Sequence, residues 1–433
     1  MTVSDATVIR VGLLGCGNVG GALLQLIAEH GDAVAARTGL RLEVAKVAVH
    51  SLGKARGVAL PAGVLTDDAE SVVSDPSIDV VVEVIGGLEP ARTLILAALD
   101  AKKPVVTGNK ELLAHHGAEL FAAAAGSGVD LLFEAAVAGG IPLIRPLRES
   151  LAGDRLRRIM GIVNGTTNFI LTRMTETGQS FGEALAEAQA LGYAERDPTA
   201  DVEGLDAAAK AAIIATVAFG AQVTASDVYA EGITAITSED ISMAERLGYV
   251  IKLLAVIEAD AESGEVAVRV HPAMVPTAHP LASVRESFNA VFVEGEAVGD
   301  LMFYGRGAGG RPTASAVMGD LIDAAANLRQ GRVAVLPRPV SARIRPMAEL
   351  RSAFYVTLDV FDRPGVLEKI AGVTARHGVS IWKMEQVGLG QEARLVFVTH
   401  VAEERAMRAT LEDLRGLDVV DRVGAPLRVV GAD

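Results

Sequence analysis

One cysteine, Cys16, stands in a chain of 433 residues. An intrachain disulfide is therefore excluded, and so is a zinc site built on several thiolates. Aromatic residues make up only 4% of the chain, with a single tryptophan, so the core has to be filled by Ala, Val, Leu and Ile. Basic side chains are outnumbered, 40 against 54 acidic ones, which leaves a formal charge of −14. Such a surface argues against nucleic-acid and anionic-membrane partners. No apolar run reaches bilayer length without meeting a glycine or a charge. The opening MTVSDATVIR lacks a basic segment followed by an apolar one, so no secretory leader is expected and a soluble cytoplasmic protein is. What is present is an ordinary globular balance, 50% apolar and 22% charged, with length enough for two or three domains.

Thr7 to Leu14 is a β-rich run. It leads into Gly15-Cys16-Gly17-Asn18-Val19-Gly20 and then into a helical segment, GALLQLI. Strand, GxGxxG and helix in that order form the dinucleotide-binding fingerprint. Gly15 permits the tight turn, Gly17 lets the backbone approach a pyrophosphate, and Gly20 lets the helix pack on the strand. Asn18 and Val19 lie at the helix N-terminus that receives the phosphates. The competing reading is a glycine-rich turn in another kind of α/β protein. The second strand, Leu40 to Val49, ends in His50-Ser51, with Lys54 and Arg56 close behind. An NAD site would place Asp or Glu there for the ribose hydroxyls. A basic, acid-free turn suits the extra phosphate of NADP, so His50, Lys54 and Arg56 point to NADP and leave NAD open. Cys16 is a small filler or, at a helix N-terminus, an acidified and oxidisable thiol.

Asp79 to Ile85 reads as a buried strand followed by Gly86-Gly87, and Ala91 to Ala101 as a helix. Lys103 to Thr107 is a strand running into Gly108-Asn109-Lys110-Glu111, and Val129 to Phe133 is a strand ending at Glu134. Alternating βα units give a doubly wound parallel sheet. Ligands lie at the carboxyl ends of such strands, where Gly86 and Lys110 sit; the plainer reading of Lys110 is a solvated loop lysine. Glu134 to Pro142 (EAAVAGGIP) turns through small residues. One carboxylate and freed carbonyls there suit a hard cation, against the plainer reading of a Gly-Pro turn.

Beyond this, Arg158 to Val163 is expected as a strand before Asn164-Gly165-Thr166-Thr167-Asn168. Phe181 to Ala190, Asp206 to Phe219 and Met243 to Glu258 are expected as helices, and Val266 to Val270 and Ala290 to Val298 as strands. Met302 to Gly310 is a second glycine-rich loop, and Ala314 to Leu328 a helix returning to the first domain. The division expected is a doubly wound, Rossmann-type domain (1–135, with the helix at about 312–330) and an α+β substrate and dimerisation domain (136–311). A linker (331–350) and a C-terminal domain (351–433) complete it.

The densest chemistry lies between Gly192 and Lys210, GYAERDPTADVEGLDAAAK, followed at once by an apolar run. Asp206 and Lys210 are four apart and share one face of a helix. A lysine where a polar mouth meets an apolar body can move a proton. The plain alternative is a solvated surface pair worth a few tenths of a kcal/mol.

These motifs together resemble homoserine dehydrogenase, over essentially the whole chain. Gly192-Tyr193, Asp197-Pro198, Asp201, Gly204, Asp206 and Lys210 match the family signature in spacing; Thr107 to Glu111 and Gly161 to Asn168 are also characteristic. The resemblance implies reduction of L-aspartate 4-semialdehyde to L-homoserine with NADPH or NADH, in threonine, methionine and isoleucine biosynthesis. It implies Lys210 as the general acid, Asp206 as its orienter and a substrate ligand, and Glu195 and Asp201 beside the substrate. Lys110 is the rival proton donor, near both cofactor and carbonyl. Gly192 and Glu195 lie near the nicotinamide, and the Gly305-Arg306-Gly307 loop closes over the cofactor. It further implies sodium held at Glu134, Val137, Gly139 and Ile141, and a homodimer or homotetramer. The chemistry is coherent: hydride addition builds negative charge on oxygen, and a positioned ammonium both stabilises that charge and supplies the proton. An ordinary lysine, with a pKa of roughly 10.4, is protonated at pH 7 and suits reduction. The reverse oxidation needs the neutral amine, so its rate is expected to rise with pH. His50 departs from the arginine of many NADP-using members.

Gly331 to Met347 carries three prolines and four arginines without helical period. After it Phe354, Val356, Leu358 and Val360 alternate with polar residues as a half-buried strand. A helix follows Asp362-Arg363-Pro364-Gly365-Val366-Leu367 and stops at Gly378. Strands at Ser380 to Val387 and Arg394 to His400, a helix from Glu403 to Leu414 and a strand at Val419 to Val423 complete βαββαβ. This resembles an ACT domain, which implies an effector at Arg363, Pro364, Gly365 and Val366, for this pathway threonine. A merely structural or dimerising tail is the alternative. Two rivals to the whole reading are another amino-acid dehydrogenase of like architecture and a regulatory protein that only senses the cofactor. A pure sensor has no need of the Glu195, Asp206 and Lys210 cluster.

Overall fold

Eight residues with one charge among them, Thr7–Leu14, form β1, and the four at its carboxyl end are fully buried. The computed structural model describes residues 6–58, 60–260, 263–335, 337–388 and 392–431. The chain forms two compact units. The first comprises Met1–Ile159, Ala209–Val228 and Phe288–Ala342, the second Met160–Ala208, Tyr229–Ser287 and Arg343–Asp433.

In the first unit β1 is followed by α1 (Asn18–Thr38), β2 (Leu40–Ala48), β3 (Leu65–Thr66), α2 (Glu70–Ser74), β4 (Val80–Glu83), α3 (Ala91–Asp100), β5 (Val105–Thr107), α4 (Lys110–Ser127) and β6 (Leu131–Leu132). The strands make a parallel sheet in the order β3-β2-β1-β4-β5-β6. The direction of winding reverses between β1 and β4, and the crevice at their carboxyl ends is where such sheets bind ligands. Short β-branched strands suit burial on both faces, and Val80, Val81 and Val82 have no exposed surface.

The chain continues through β7 (Leu156–Ile162), α5 (Gly165–Thr177), α6 (Phe181–Ala190), α7 (Thr199–Val202), α8 (Leu205–Phe219), β8 (Tyr229–Ala230), α9 (Ser238–Arg246), β9 (Tyr249–Ala259) and β10 (Val266–Pro276). The expected helix from Met243 to Glu258 is wrong. Its first residues end α9, and the rest is β9, paired antiparallel with β10 along its whole length. The run from Ile251 to Ile257 is buried throughout, so it shows no alternation, and periodicity cannot separate a doubly buried strand from a buried helix.

A hairpin of β11 (Phe288–Gly295) and β12 (Gly299–Arg306) returns to the first unit. Met302 to Arg306, expected as loop, is therefore strand, and the loop is confined to Gly307–Gly309. α10 (Gly310–Gln330) follows, and its Ala314, Val317 and Leu321 join Leu23 of α1 and Leu13, Val82 and Val106 of the sheet in one core. The segment expected as a linker is pinned in places: Val340 bridges Ala221, and Ile344 bridges Val266.

The remainder is β13 (Arg351–Phe361), α11 (Val366–Arg376), β14 (Ile381–Gly388), β15 (Glu392–Thr399), β16 (Ala402–Glu403), α12 (Glu404–Arg415), β17 (Val420–Val423) and β18 (Leu427–Val429). Phe354, Val356 and Leu358 pack on Ile370, Val373, Met407 and Leu411 of the two helices. β13 was expected to be half-buried. Tyr355 and Thr357 on its other face are buried as well, and they line one hollow with Asp240 and Met243 of α9. β18, not foreseen, pairs in parallel with β10 and antiparallel with β13. Among the described residues no helix is long and apolar enough to cross a membrane.

Candidate active site

At the mouth of β1 the three glycines behave differently, and the differences follow from what a side chain would meet. A Cβ on Gly15, whose φ is +100°, would stand 2.7 Å from the Val84 carbonyl oxygen, and one on Gly20 would stand 2.2 Å from the Gly15 oxygen. Both contacts are closer than any side chain tolerates, so turn and helix can meet only as glycines. Gly17, which precedes α1, has nothing within 4 Å of such an atom. Open backbone at a helix N-terminus is the setting in which amides receive phosphate, so these residues fit the dinucleotide that the fold implies. Asn18 and Val19 open the helix.

His50, Lys54 and Arg56 lie in the loop after β2. Arg56 turns back into that loop, donating to the carbonyls of Lys54 at 2.8 Å, Leu52 at 3.3 Å and Ser51. Cys16 lies close enough to feel its charge. Burial nevertheless pushes the thiol up, against the pull of Arg56, which does not support the acidified thiol weighed above.

Farther along the crevice a cleft of about 340 Å³ is lined by Gly86, Gly87, Lys110, Gly139, Lys210 and Gly307, among others. Lys110 and Lys210 are a hundred residues apart in sequence and meet one hollow within the first unit. Lys110 is the first residue of α4, capped by the Asn109 side chain, which accepts from the Leu112 amide at 3.1 Å. A cation at a helix N-terminus opposes the helix dipole, so its placement there works against local preference. Gly305 lies on β12 just before the loop that carries Gly307.

Within the second unit one amide gathers two carboxylates. Asn164 caps α5 by accepting from Thr167 N–H at 2.8 Å, which fixes which end of its amide is oxygen. Its nitrogen then donates to Asp201 at 2.7 Å and to Asp206 at 2.9 Å. Thr166 donates to the Tyr193 carbonyl at 2.7 Å, tying down the segment that holds Gly192 and Glu195. Gly192 and Glu195 are exposed, and the Glu195 carbonyl accepts from Gln189 at 3.0 Å. Asp206 and Lys210, one turn apart on α8, are 9% and 8% exposed. A solvated surface pair is therefore the wrong description of them.

Family models agree with this architecture. The NAD-binding domain of homoserine dehydrogenase matches residues 15–134, the homoserine dehydrogenase domain residues 142–322, and the ACT domain residues 354–419. The homoserine dehydrogenase of Mycobacterium tuberculosis is 49% identical, over 99% of this chain and 99% of its own. The chain belongs to the homoserine dehydrogenase family. It is accordingly an NAD(P)-dependent oxidoreductase with an NAD(P)-binding domain and a C-terminal ACT domain. Its fold is similar to the crystal structure of a homoserine dehydrogenase from Thiobacillus denitrificans, with a TM-score of 0.92 and 42% identity over 99% of this chain and 100% of that one. A hyperthermophilic archaeal homoserine dehydrogenase in complex with NADPH covers 74% of this chain and 98% of its own, at a TM-score of 0.62 and 28% identity.

Two further places bear on the reading of this chain. The Glu134 carboxylate is already committed: it accepts from the amides of Leu143 at 2.5 Å, Ile144 at 2.7 Å and Arg145 at 2.8 Å. Among the described residues no group of three or more His, Cys, Asp or Glu side chains could hold a metal ion. A cation at this turn would rest on backbone carbonyls together with this one carboxylate, whose Oε2 has a single amide donor. In the ACT domain, Arg363 to Val366 line a hollow at the start of α11, with Gln386 and Leu395 opposite. Arg363 there donates to the carbonyl and carboxylate of Asp418 at 3.1 and 3.2 Å.

Sequence reasoning did not single out Glu83, which ends β4 with no exposed surface. A carboxylate inside the apolar run DVVVEVI was the available signal. Asn164 stood in a quoted motif but was assigned no role, since nothing local shows that its side chain reaches two aspartates.

Proposed function

We propose that this enzyme interconverts L-aspartate 4-semialdehyde and L-homoserine, with Lys210 delivering the proton. The observation that carries the reading is that Lys110 and Lys210 line one cleft at the carboxyl end of the sheet, beside the Gly86-Gly87 loop. Bound there, NADP supplies or accepts the hydride. The chain's own residues do the rest. The Lys210 ammonium faces the oxygen on which charge develops and gives up its proton as that charge forms. Asp206 orients Lys210 and, with Asp201 and Glu195, meets the amino acid end of the substrate. Lys110 stands second in line as donor. Gly15, Gly17, Asn18, Val19 and Gly20 hold the pyrophosphate, and Gly86, Gly192, Gly305 and Gly307 border the nicotinamide end.

NADP is preferred over NAD in this reading, supported by the acid-free turn of His50, Lys54 and Arg56 and by the NADPH carried by the archaeal relative. Sodium is held by the Glu134 carboxylate and the carbonyls at Val137, Gly139 and Ile141. Threonine binds at Arg363, Pro364, Gly365 and Val366 and lowers the rate. The chain works as a cytoplasmic homodimer or homotetramer in threonine, methionine and isoleucine biosynthesis. The division into a cofactor domain (1–135, with the returning helix at about 312–330), a substrate domain (136–311), a linker (331–350) and a regulatory domain (351–433) belongs to the same proposal.

The deciding experiment is oxidation of L-homoserine at alkaline pH, followed by the absorbance of reduced nicotinamide. NADP and NAD are run in parallel, with and without threonine, and in sodium or tetramethylammonium salts. Turnover faster with NADP, lowered by threonine and by loss of sodium, is expected. Folded protein that binds nucleotide yet oxidises no homoserine with either cofactor sinks the substrate assignment.

A further inference from the structure

Glu83 is the last residue of β4 and lies fully buried at the switch point between β1 and β4. Burying a carboxylate is costly unless donors meet its oxygens. Three do. Oε1 accepts from the amides of Ile85 at 2.7 Å and Gly86 at 3.1 Å, and Oε2 accepts from the Thr107 hydroxyl at 2.6 Å. Thr107 Oγ1 in turn accepts from the Asn109 amide at 3.0 Å. Asn109 closes the circuit, its side-chain nitrogen donating to the Gly87 carbonyl at 2.7 Å while its oxygen caps the helix that Lys110 begins.

The circuit begins and ends on the loop after β4 and passes through the loop after β5. Gly86, Gly87, Asn109 and Lys110 all line the cleft. The same loop after β4 bears on the glycine turn, since the Val84 carbonyl leaves no room for a side chain at Gly15. One buried side chain thus ties the cleft backbone after β4 to the loop that bears a lysine held against its helix dipole.

We infer that Glu83 is a positioning residue for hydride transfer, acting through Thr107 and Asn109 to hold Lys110 and the Gly86-Gly87 loop in register. This rests on the reading of the cleft as the reacting site. Glu83→Gln keeps an oxygen for Ile85 and Gly86 but turns an NH2 toward Thr107, whose hydroxyl proton loses its acceptor. The kcat for homoserine oxidation is expected to fall roughly tenfold or more, because small displacements of reacting groups are expensive. The Kd for NADP is expected to shift by less than about threefold, since the pyrophosphate turn is untouched. Thr107→Val, which also frees the Asn109 amide, should fall at least as far, Thr107→Ser should recover most of that loss, and the double variant E83Q/T107V should be no slower than T107V, because the bond lost in E83Q is already lost there. Hydrogen exchange at the Asn109 and Lys110 amides should quicken in both single variants, a readout that needs no substrate. Unchanged kcat in E83Q, additive losses in the double variant, or a loss confined to NADP affinity overturns the inference. If the wild-type chain does not oxidise homoserine, the functional reading falls while the exchange rates still decide Glu83: unchanged exchange overturns its role.

Discussion

Arg428 grips Glu404 with two nitrogens, Nε and, at 3.1 Å, Nη2, and its third nitrogen meets Glu231 at 2.8 Å. Arg428 sits on β18, the strand that pairs with both β10 and β13, and it is 5% exposed. Removing one partner of a buried ion pair leaves an uncompensated charge, which costs more than the intact pair contributes. Arg428→Met is therefore expected to lower stability by about 3–5 kcal/mol in urea denaturation. Adding Glu404→Gln should recover part of that loss. A double variant less stable than Arg428→Met would show that the Glu404 charge is not the source of the cost.

Lys210→Met is expected to lower turnover by roughly 10²–10⁴-fold, the range for loss of a general acid, while leaving nucleotide affinity nearly unchanged. Steady-state rates beside fluorescence titration with NADPH separate the two. Lys110→Met is the control. If it abolishes turnover while Lys210→Met only raises KM, the donor is Lys110 and Lys210 binds substrate.

Much of this was legible where the determinant is local. GxGxxG after an apolar strand carries its own geometry, and Phe354, Val356, Leu358 and Val360 announce a packed face by alternation. β9 was misread because burial on both faces erases alternation. The Glu83–Thr107 and Asn164–Asp206 bonds were invisible for a different reason: each joins elements distant in sequence that only the folded chain brings together. Asp206 and Lys210 could be paired from spacing, but spacing alone does not tell a buried pair from a solvated one.

The glycine turn offers a contrast between neighbours. Gly20→Ala forces a Cβ to within 2.2 Å of the Gly15 carbonyl, so overpacking should cost about 1–3 kcal/mol and lower the melting temperature. Gly17→Ala meets nothing in the protein and should melt as the wild type does while binding NADP more weakly, because its methyl occupies the approach of the pyrophosphate. Thermal denaturation and nucleotide titration of both variants check this. Equal effects of the two on melting temperature would remove the distinction drawn between them.

Lys252 gives the second unit a pH signature. The residue is 2% exposed, and its ammonium donates to Asn168 Oδ1 at 3.0 Å and to the Val284 carbonyl. Burial lowers its pKa to about 8 from the usual 10.5, Arg285 pushes the same way, and Glu176 opposes them. Below pH 8 both folded and unfolded states hold the proton, and the folded state bears the full cost of a buried charge. Between pH 8 and 10.5 the unfolded state holds more protons, so this group's contribution to stability rises with pH; above that it is level. In Lys252→Met the slope is absent. The stability of wild type relative to the variant should therefore climb by roughly 2–4 kcal/mol between pH 7.5 and 10.5, at 1.36 kcal/mol per pKa unit. Urea denaturation at several pH values across that window measures it. A difference that stays flat would mean that Lys252 titrates alike in both states, and that its hydrogen bonds to Asn168 and Val284 fully offset its desolvation.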